Sequence, residues 1–230
     1  MKVLCIGDSL ALPGHLNRYE DTWFYKLKKE FKDIDFICFF KRQLTTDILC
    51  TMGGGENGID KWPKGGDLLE AYIPDKVIIQ LGIVDCAPRL LYKYEKIIIS
   101  KLPSNLVKSY LKFVKLVRQR SIVRTDVPLK KFKKNIEAYI ERAQKLKVQQ
   151  IIFIGICIPD LNLIHKNTHI LILIEQYNRI LLDFEKQFQF VTCTFPLDSN
   201  KQDLPIYQDG YHPNILGHQL IFENIKSIVN

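Results

Sequence analysis

The sequence predicts a three-layer α/β/α domain, in which helices cover both faces of a mostly parallel, five-stranded sheet of flavodoxin-like type. Apolar runs of strand length alternate along the 230 residues with longer segments of helical periodicity. This is the pattern of a parallel sheet joined by crossover helices. An apolar fraction of 47% is sufficient for a full core. We therefore expect one domain over residues 1–230.

Five apolar runs are predicted to form the strands. They are Lys2–Ile6, Asp35–Phe40, Asp75–Leu81, Gln150–Ile156 and Phe190–Cys193. Ligand sites in such sheets lie beyond the carboxyl ends of the strands. The residues that follow the first and third strands are therefore expected at the same edge of the sheet.

Four segments carry apolar residues at helical spacing and are predicted to be helices. Asp21 is expected to cap the first of them, which runs from about Trp23 to Phe31. The other three are Leu129–Lys147, Thr168–Phe188 and Asn214–Val229.

A glycine-rich segment, Gly53–Gly58, is followed shortly by Gly65 and Gly66. It lacks the spacing of a phosphate-binding loop. A surface loop or lid is therefore predicted here.

A basic segment is expected to form a helical insertion over about residues 89–128. Between residues 89 and 134 there are 14 Lys and Arg against two acidic residues, whereas the whole chain has a net charge of +8. One helix face is expected to carry Leu106, Tyr110, Phe113, Val114 and Val117. That face either packs on the domain or docks on a partner, a membrane surface or an anionic glycolipid. A solvated lysine-rich face is the third possibility.

The sequence contains no targeting signal. No apolar run approaches the roughly 20 residues of a membrane span. The N-terminal apolar run is too short for a signal peptide. We therefore expect a cytoplasmic protein, with the inner membrane face as a peripheral location, and no nucleic-acid partner.

Two short segments at opposite ends of the chain hold the candidate catalytic residues. Ser9 lies on a turn directly after the first strand, while Asp209 and His212 lie three residues apart near the C-terminus. A serine hydroxyl needs an adjacent base, and that base needs a third group to orient it. The predicted roles are nucleophile for Ser9, base for His212 and orienting carboxylate for Asp209.

Both segments resemble sequence blocks of the SGNH hydrolase superfamily, also called GDSL esterases. Gly7-Asp8-Ser9-Leu10 is similar to the first block and Asp209-x-x-His212 to the last, and the resemblance covers essentially the whole chain. It implies a serine esterase or acyltransferase that needs no metal or cofactor. The segment Gly82–Arg89 resembles a branch associated with bacterial surface polysaccharides. This branch implies an ester substrate, O-acetyl above all, on a carbohydrate or glycolipid precursor.

The sequence departs from the family at the groups that bind the oxyanion. Val84 stands where the family has an asparagine, and the segment after the second strand has no glycine. Gln43 is expected to offer its backbone amide instead. Arg42 or Arg89 is predicted to replace the asparagine, with Asp85 holding Arg89 in place. Two alternatives remain: the reaction places its charge elsewhere, or the chain is a weak or inactive module that binds a polysaccharide or assembly partner through its basic segment.

Overall fold

The structure is a computed structural model that describes residues 1–50, 65–91, 93–118, 124–166, 169–197 and 206–229. These residues form five strands and nine α-helices, and they confirm the predicted fold class. The strands are β1 (Lys2–Gly7), β2 (Asp35–Phe40), β3 (Lys76–Gln80), β4 (Gln150–Ile154) and β5 (Val191–Thr194). The helices are α1 (Trp23–Glu30), α2 (Gly65–Tyr72), α3 (Ile83–Cys86), α4 (Lys93–Ile99), α5 (Ser104–Arg118), α6 (Leu129–Lys145), α7 (Leu161–Lys166), α8 (His169–Gln187) and α9 (Ile215–Val229).

All the strands are parallel, and their order in the sheet is β2-β1-β3-β4-β5. The chain moves outward from β1 to β2 and then crosses back to β3 on the other side of β1. Connections on the two sides of this point leave towards opposite faces, so a crevice opens between the carboxyl ends of β1 and β3. This crevice is where the fold favours a ligand site.

Two apolar cores lie on opposite faces of the sheet. On β1, Leu4 and Ile6 point into the core that α6 and α8 cover. Val3 and Cys5 point into the core that α1 and α9 cover. This alternation is the period-two pattern of a strand buried on both faces.

The first helix has a different cap from the predicted one. Thr22, rather than Asp21, is the N-cap of α1, and its side chain accepts a hydrogen bond from the Tyr25 amide. Asp21 instead accepts a bond from the amide of Arg18 at 2.8 Å and ends a short 3-10 turn.

Three helices were not predicted, namely α2, α3 and α7. Gly65 and Gly66 begin α2 instead of extending a loop. The predicted glycine-rich loop Gly53–Gly58 lies outside the described residues.

The basic segment forms two helices, α4 and α5, and the apolar face predicted for it is only partly packed on the domain. Val114 is buried and Tyr110 half-buried, whereas Leu106 and Phe113 are exposed. The side chain of Val117 lies outside those that the structure describes. No helix among the described residues is long and apolar enough to cross a membrane.

Candidate active site

Ser9 begins a one-turn 3-10 helix at the carboxyl end of β1. Asp8 caps this turn, because its carboxylate accepts a hydrogen bond of 2.8 Å from the Leu10 amide. A side chain at Gly7 would come within 2.8 Å of Ala11, so the close approach of the turn to the strand requires glycine. The turn therefore holds Ser9 at the crevice between β1 and β3.

His212 lies in a tight loop immediately before α9. The Gln208 amide donates to the His212 carbonyl at 2.9 Å, and Tyr207 and Pro213 form a single antiparallel bridge. Inside the loop, Asp209 Oδ1 accepts hydrogen bonds from the amides of Tyr211 and His212 at 3.2 and 3.0 Å. The loop is thus folded around the Asp209 carboxylate.

Ser9, His212 and Asp209 form one continuous chain of contacts. His212 Nε2 lies 3.0 Å from Ser9 Oγ, and His212 Nδ1 lies 2.8 Å from Asp209 Oδ2. A carboxylate only accepts, so Nδ1 carries the proton and Nε2 is left to accept from the serine hydroxyl. This is the contact that the sequence predicted between the two ends of the chain.

Asp209 is set up to remain ionised. Partial burial alone would raise its pKa, but the hydrogen bonds from the His212 amide and imidazole and from the Tyr211 amide hold the pKa below its ordinary value. The Asp209 side chain is 42% exposed and that of His212 is 29% exposed. The site is therefore open to solvent and accessible to a large substrate.

Gln208 ties the two halves of the site together, and sequence reasoning missed it. Its side chain accepts from the Leu16 amide at 3.1 Å and donates to the Pro213 carbonyl at 2.7 Å. A side chain at Gly14 would come within 2.1 Å of the Gln208 amide group, so a larger residue there would displace the Gln208 side chain from this position. A lone glutamine carries no sequence signal for such a role.

Two backbone amides, one after β1 and one after β2, have no hydrogen-bond acceptor among the described residues. They are those of Ser9 and Gln43. Gln43 has a φ of 61°, the left-handed conformation that glycine adopts readily. The Val84 side chain, by contrast, has no hydrogen-bond donor.

Asp85 does not hold Arg89, and this prediction was wrong. Asp85 is buried, and its Oδ1 accepts hydrogen bonds from both the amide and the hydroxyl of Thr46. Asn135 on α6 donates to the same hydroxyl at 3.2 Å and to Asp47 at 2.9 Å. The carboxylate therefore fixes the loop after β2, which carries Gln43, instead of orienting a cation.

Arg89 is held by other groups. Its Nε bonds Asp126 at 2.8 Å and its Nη2 donates to the Val84 carbonyl at 3.0 Å. The Arg89 cation also opposes the rise in pKa that burial causes in Tyr211, the neighbour of His212. The guanidinium is therefore anchored by Asp126 and the Val84 carbonyl instead of by Asp85. Arg42 is exposed, next to Gln43.

Two buried carboxyl groups lie close to Ser9. Burial raises the pKa of Asp8 to about 7, and the charge of Asp85 contributes to the rise. Burial likewise raises the pKa of Asp85 to about 6, against the hydrogen bonds from Thr46. Oδ2 of each lacks a hydrogen-bond partner among the described residues. Neither group is part of the contact chain of Ser9.

A separate groove of about 610 Å³ runs along α8. It is lined by the segments that follow β4 and β5, including Cys157 and Phe195. Ser9 and His212 are not among its lining residues. The catalytic candidates therefore lie on the open crevice, outside this groove.

The sequence comparison gives one family. Residues 3–225 match the profile of the family described as GDSL-like Lipase/Acylhydrolase. No curated protein matches the chain significantly.

Solved structures of several esterases have the same fold. The acetyl xylan esterase AlAXEase is 16% identical with a TM-score of 0.62, and the match covers 100% of both chains. A catalytic mutant of Axe2, an acetylxylan esterase from Geobacillus stearothermophilus, is 15% identical with a TM-score of 0.60 over 98% of this chain and 92% of that one. The psychrotrophic esterase EstA from Pseudoalteromonas sp. is 15% identical with a TM-score of 0.58 over 99% of this chain and 96% of that one.

Proposed function

Because the chain belongs to the family of GDSL-like lipases and acylhydrolases, and is thus an ester hydrolase, we propose that it removes an O-acyl group, O-acetyl above all, from a carbohydrate or glycolipid precursor. Ser9 is the nucleophile in this proposal. The observation that carries it is the unbroken contact from Asp209 through His212 to Ser9 Oγ.

The chemistry follows the order of these contacts. Ser9 Oγ attacks the ester carbonyl carbon while His212 Nε2 takes the hydroxyl proton. The tetrahedral intermediate collapses, His212 returns the proton to the leaving sugar oxygen, and an acyl-Ser9 remains. Water then attacks this ester with His212 as the base, releasing the carboxylic acid and free Ser9. Asp209 stabilises the imidazolium in both steps.

The free amides of Ser9 and Gln43 are the proposed donors to the oxyanion. Their backbone positions are fixed before substrate binds, so they need no reorganisation in the transition state. Arg89 is a candidate for a third contact, because its charge acts on Tyr211, next to His212, and Asp126 anchors its side chain. Arg42 is exposed beside Gln43 and is the remaining candidate for a charged substrate group.

Two features support a carbohydrate substrate. Two of the structural neighbours described above are acetylxylan esterases. The site is also open, with Asp209 and His212 partly exposed. An open crevice accommodates the bulky alcohol side of a glycan ester while only the small acyl group has to reach Ser9.

Two other functions compete with hydrolysis, and specific observations distinguish them from it. An O-acyltransferase would use the same residues, with a sugar hydroxyl in place of water as the second nucleophile. A binding module with weak or no activity is favoured by the apolar Val84 side chain. A module of this kind has no need for a base in contact with Ser9, and this contact favours the enzyme.

The nucleophile can be tested directly with a fluorophosphonate probe. Wild type should be labelled at Ser9, and Ser9→Ala should lose both labelling and hydrolysis of aryl acetates. Loss of the hydroxyl removes the attacking atom, so the rate should fall by about 10⁴-fold or more. Ser227→Ala changes an exposed serine on α9 and serves as the control. Full turnover by Ser9→Ala would contradict the assignment.

The substrate class needs a separate experiment. Release of acetate from acetylated xylo-oligosaccharides and acetylated amino sugars should be compared with release from aryl esters of increasing chain length. We expect acetyl esters to be preferred. Addition of an unacetylated sugar separates the two reactions, because a transferase would pass the acyl group to the sugar hydroxyl. Preference for long acyl chains would contradict the carbohydrate proposal but not the role of Ser9.

A further inference from the structure

We propose that the helices α4 and α5, together called the basic helix pair (residues 93–118), dock on the surface of an anionic lipid bilayer. This pair has an unusual density of exposed apolar side chains. Of the 17 large apolar residues that are exposed in the described structure, seven lie in it. They are Tyr94, Ile97, Ile98, Leu102, Leu106, Phe113 and Leu116.

Helix α5 has one broad apolar face, and only part of that face packs on the protein. Val114 is buried and Tyr110 half-buried, so they lie on the inner side. Leu106, Phe113 and Leu116 are spaced seven and three residues apart and lie on the flank of this face that points to solvent, with exposures of 57%, 62% and 76%. Packing on the domain therefore explains the inner part of the apolar face and does not explain its exposed flank.

The exposed apolar side is accompanied by positive charge. Residues 93–118 contain seven Lys and Arg and one acidic residue, a net charge of +6. The acid, Glu95, is buried and accepts a hydrogen bond from Tyr110 at 3.0 Å. Lys108, Lys112 and Lys115 are exposed, and within the described part of the chain no carboxylate pairs with them. The outer surface of the pair is thus cationic and apolar at once.

A bilayer fits this combination better than a free polyanion does. Lysine ammonium groups meet anionic headgroups, while phenylalanine and leucine side chains insert at the boundary with the acyl chains. A dissolved acidic glycan would use the charge but leave the apolar side chains in water. A second copy of the chain would bury the apolar side chains but bring two surfaces of charge +6 together.

The base of the pair is joined to the edge of the sheet that holds Ser9. The Arg89 amide donates to the Arg124 carbonyl at 2.7 Å, which brings the two ends of the insertion together. The Val127 amide donates to the Asp85 carbonyl at 3.3 Å, on α3, directly after β3. Docking would therefore bring the crevice near the membrane. If the proposed function holds, this location gives access to lipid-linked glycan esters.

Vesicle flotation tests the surface. Wild type should bind vesicles of equal parts phosphatidylcholine and phosphatidylglycerol and should not bind phosphatidylcholine alone. The double variant F113S/L116S should bind at least about tenfold more weakly at physiological salt, because insertion is lost while the charge remains. The matched control L161S/I172S replaces two equally exposed apolar residues on α7 and α8 and should bind as wild type does.

A pair of charge variants tests whether the effect is local. K108Q/K112Q/K115Q should bind about a hundredfold more weakly, since each lysine near an anionic surface contributes about a factor of five. K130Q/K133Q/K134Q removes the same charge from the exposed side of α6 and should have a much smaller effect. Equal loss in both triple variants would overturn the proposal in favour of a diffuse attraction by net charge.

Three other results would also overturn it. One is binding to a soluble acidic polysaccharide as tight as to vesicles and unaffected by F113S/L116S. Another is a dimer in light scattering that F113S/L116S dissociates. The third is equal binding to neutral and anionic vesicles. Binding does not require hydrolysis, so Ser9→Ala should bind vesicles like wild type. A wild-type protein that binds vesicles but hydrolyses no ester would therefore contradict the proposed function and leave the docking proposal intact.

Discussion

At the scale of single residues, Gln43 is held in a backbone conformation that disfavours side chains. A φ of 61° costs a residue with a Cβ roughly 1 kcal/mol or more relative to glycine. The side chain is exposed, with no hydrogen bond to the described residues that would offset this cost. In the proposed mechanism, Gln43 acts through its backbone amide and not through its side chain.

Gln43→Gly separates the amide from the side chain. Glycine adopts the same φ without strain, so we expect unchanged kcat and a melting temperature equal to or slightly above that of wild type. The stability gained by relieving backbone strain is partly offset, because glycine has more conformational freedom in the unfolded chain. The measurements are aryl acetate turnover and thermal unfolding. A drop in kcat of more than tenfold would mean that the Gln43 side chain itself contacts substrate.

Val84 offers the opposite test, because at this position a side-chain hydrogen-bond donor is missing. Val84→Asn places an amide donor where the family has one. Since one oxyanion donor is worth on the order of 3 kcal/mol, we expect kcat to rise by up to about a hundredfold with a smaller change in KM. Val84→Leu alters the shape without adding a donor and should give no increase. An unchanged kcat in both variants would indicate that Arg89 already fills this place.

At the scale of structural elements, the network of Thr46, Asp85 and Asn135 joins the loop after β2 to α3 and α6. Thr46 is buried, and its hydroxyl both donates to Asp85 and accepts from Asn135. Thr46→Val keeps the shape of the side chain, but it leaves the buried side chains of Asp85 and Asn135 with one hydrogen-bond partner fewer each. We expect the free energy of unfolding to fall by about 1–3 kcal/mol. We also expect kcat to fall several-fold, because the loop that carries the Gln43 amide loosens.

Thr45→Val is the matched control for this network. Thr45 precedes Thr46 in the same loop, and its side chain does not cap the turn that follows. Denaturant unfolding and turnover should both stay near wild type. If Thr46→Val also left the free energy of unfolding and the turnover unchanged, the hydrogen bonds to Asp85 would not be what positions the loop.

The elements also show what the sequence can and cannot predict. Strand β2 was predicted to the residue and the other strands within two, because an apolar run bounded by turn residues has few alternative structures. The contact of Ser9 with His212 was predicted because a recognisable residue pattern lies at each end. The hydrogen-bond partner of Asp85 was not predicted, because the sequence analysis chose Arg89, four positions further along the chain. Thr46 precedes Asp85 by 39 residues, and Asp126 follows Arg89 by 37.

Helix α5 shows a second limit of the same kind. Its apolar residues form one broad face, and the periodicity of the sequence does not say which part of that face meets the domain. Only the structure separates Val114, which is buried, from Phe113, which is exposed. The short helix α3 was missed because four residues are too few to show a period.

At the scale of the whole molecule, stability depends on pH through titratable groups with opposite effects. The raised pKa values of Asp8 and Asp85 mean that the folded state holds their protons at higher pH than the unfolded chain does. Their stabilising contribution is present below about pH 4 and is lost as the pH rises towards 6 and 7. Asp209 acts in the other direction, because its lowered pKa makes the folded state lose stability in acid.

His218 adds an acid-sensitive contribution of its own. It is fully buried on α9, and neither ring nitrogen has a hydrogen-bond partner among the described residues. Burial, and to a lesser extent the nearby Lys26 cation, lowers its pKa from 6.5 to about 4. The unfolded chain therefore binds a proton as the pH falls below about 6.5, while the folded chain resists it until about 4. Stability should decrease across this window as the pH falls.

His218→Phe removes the titrating nitrogens while keeping an aromatic ring in the core. At pH 8 the two proteins differ only by packing, whereas at pH 5 the variant escapes a penalty of about 2 kcal/mol, or 1.4 kcal/mol for each pH unit below the unfolded pKa. We therefore expect the unfolding free energy of His218→Phe, relative to wild type, to rise by about this amount between pH 8 and pH 5 in urea titrations. His165→Phe, at an exposed histidine on α7, should show no such trend. A pH-independent difference between His218→Phe and wild type would mean that the buried imidazole can be protonated in the folded protein as readily as in the unfolded chain.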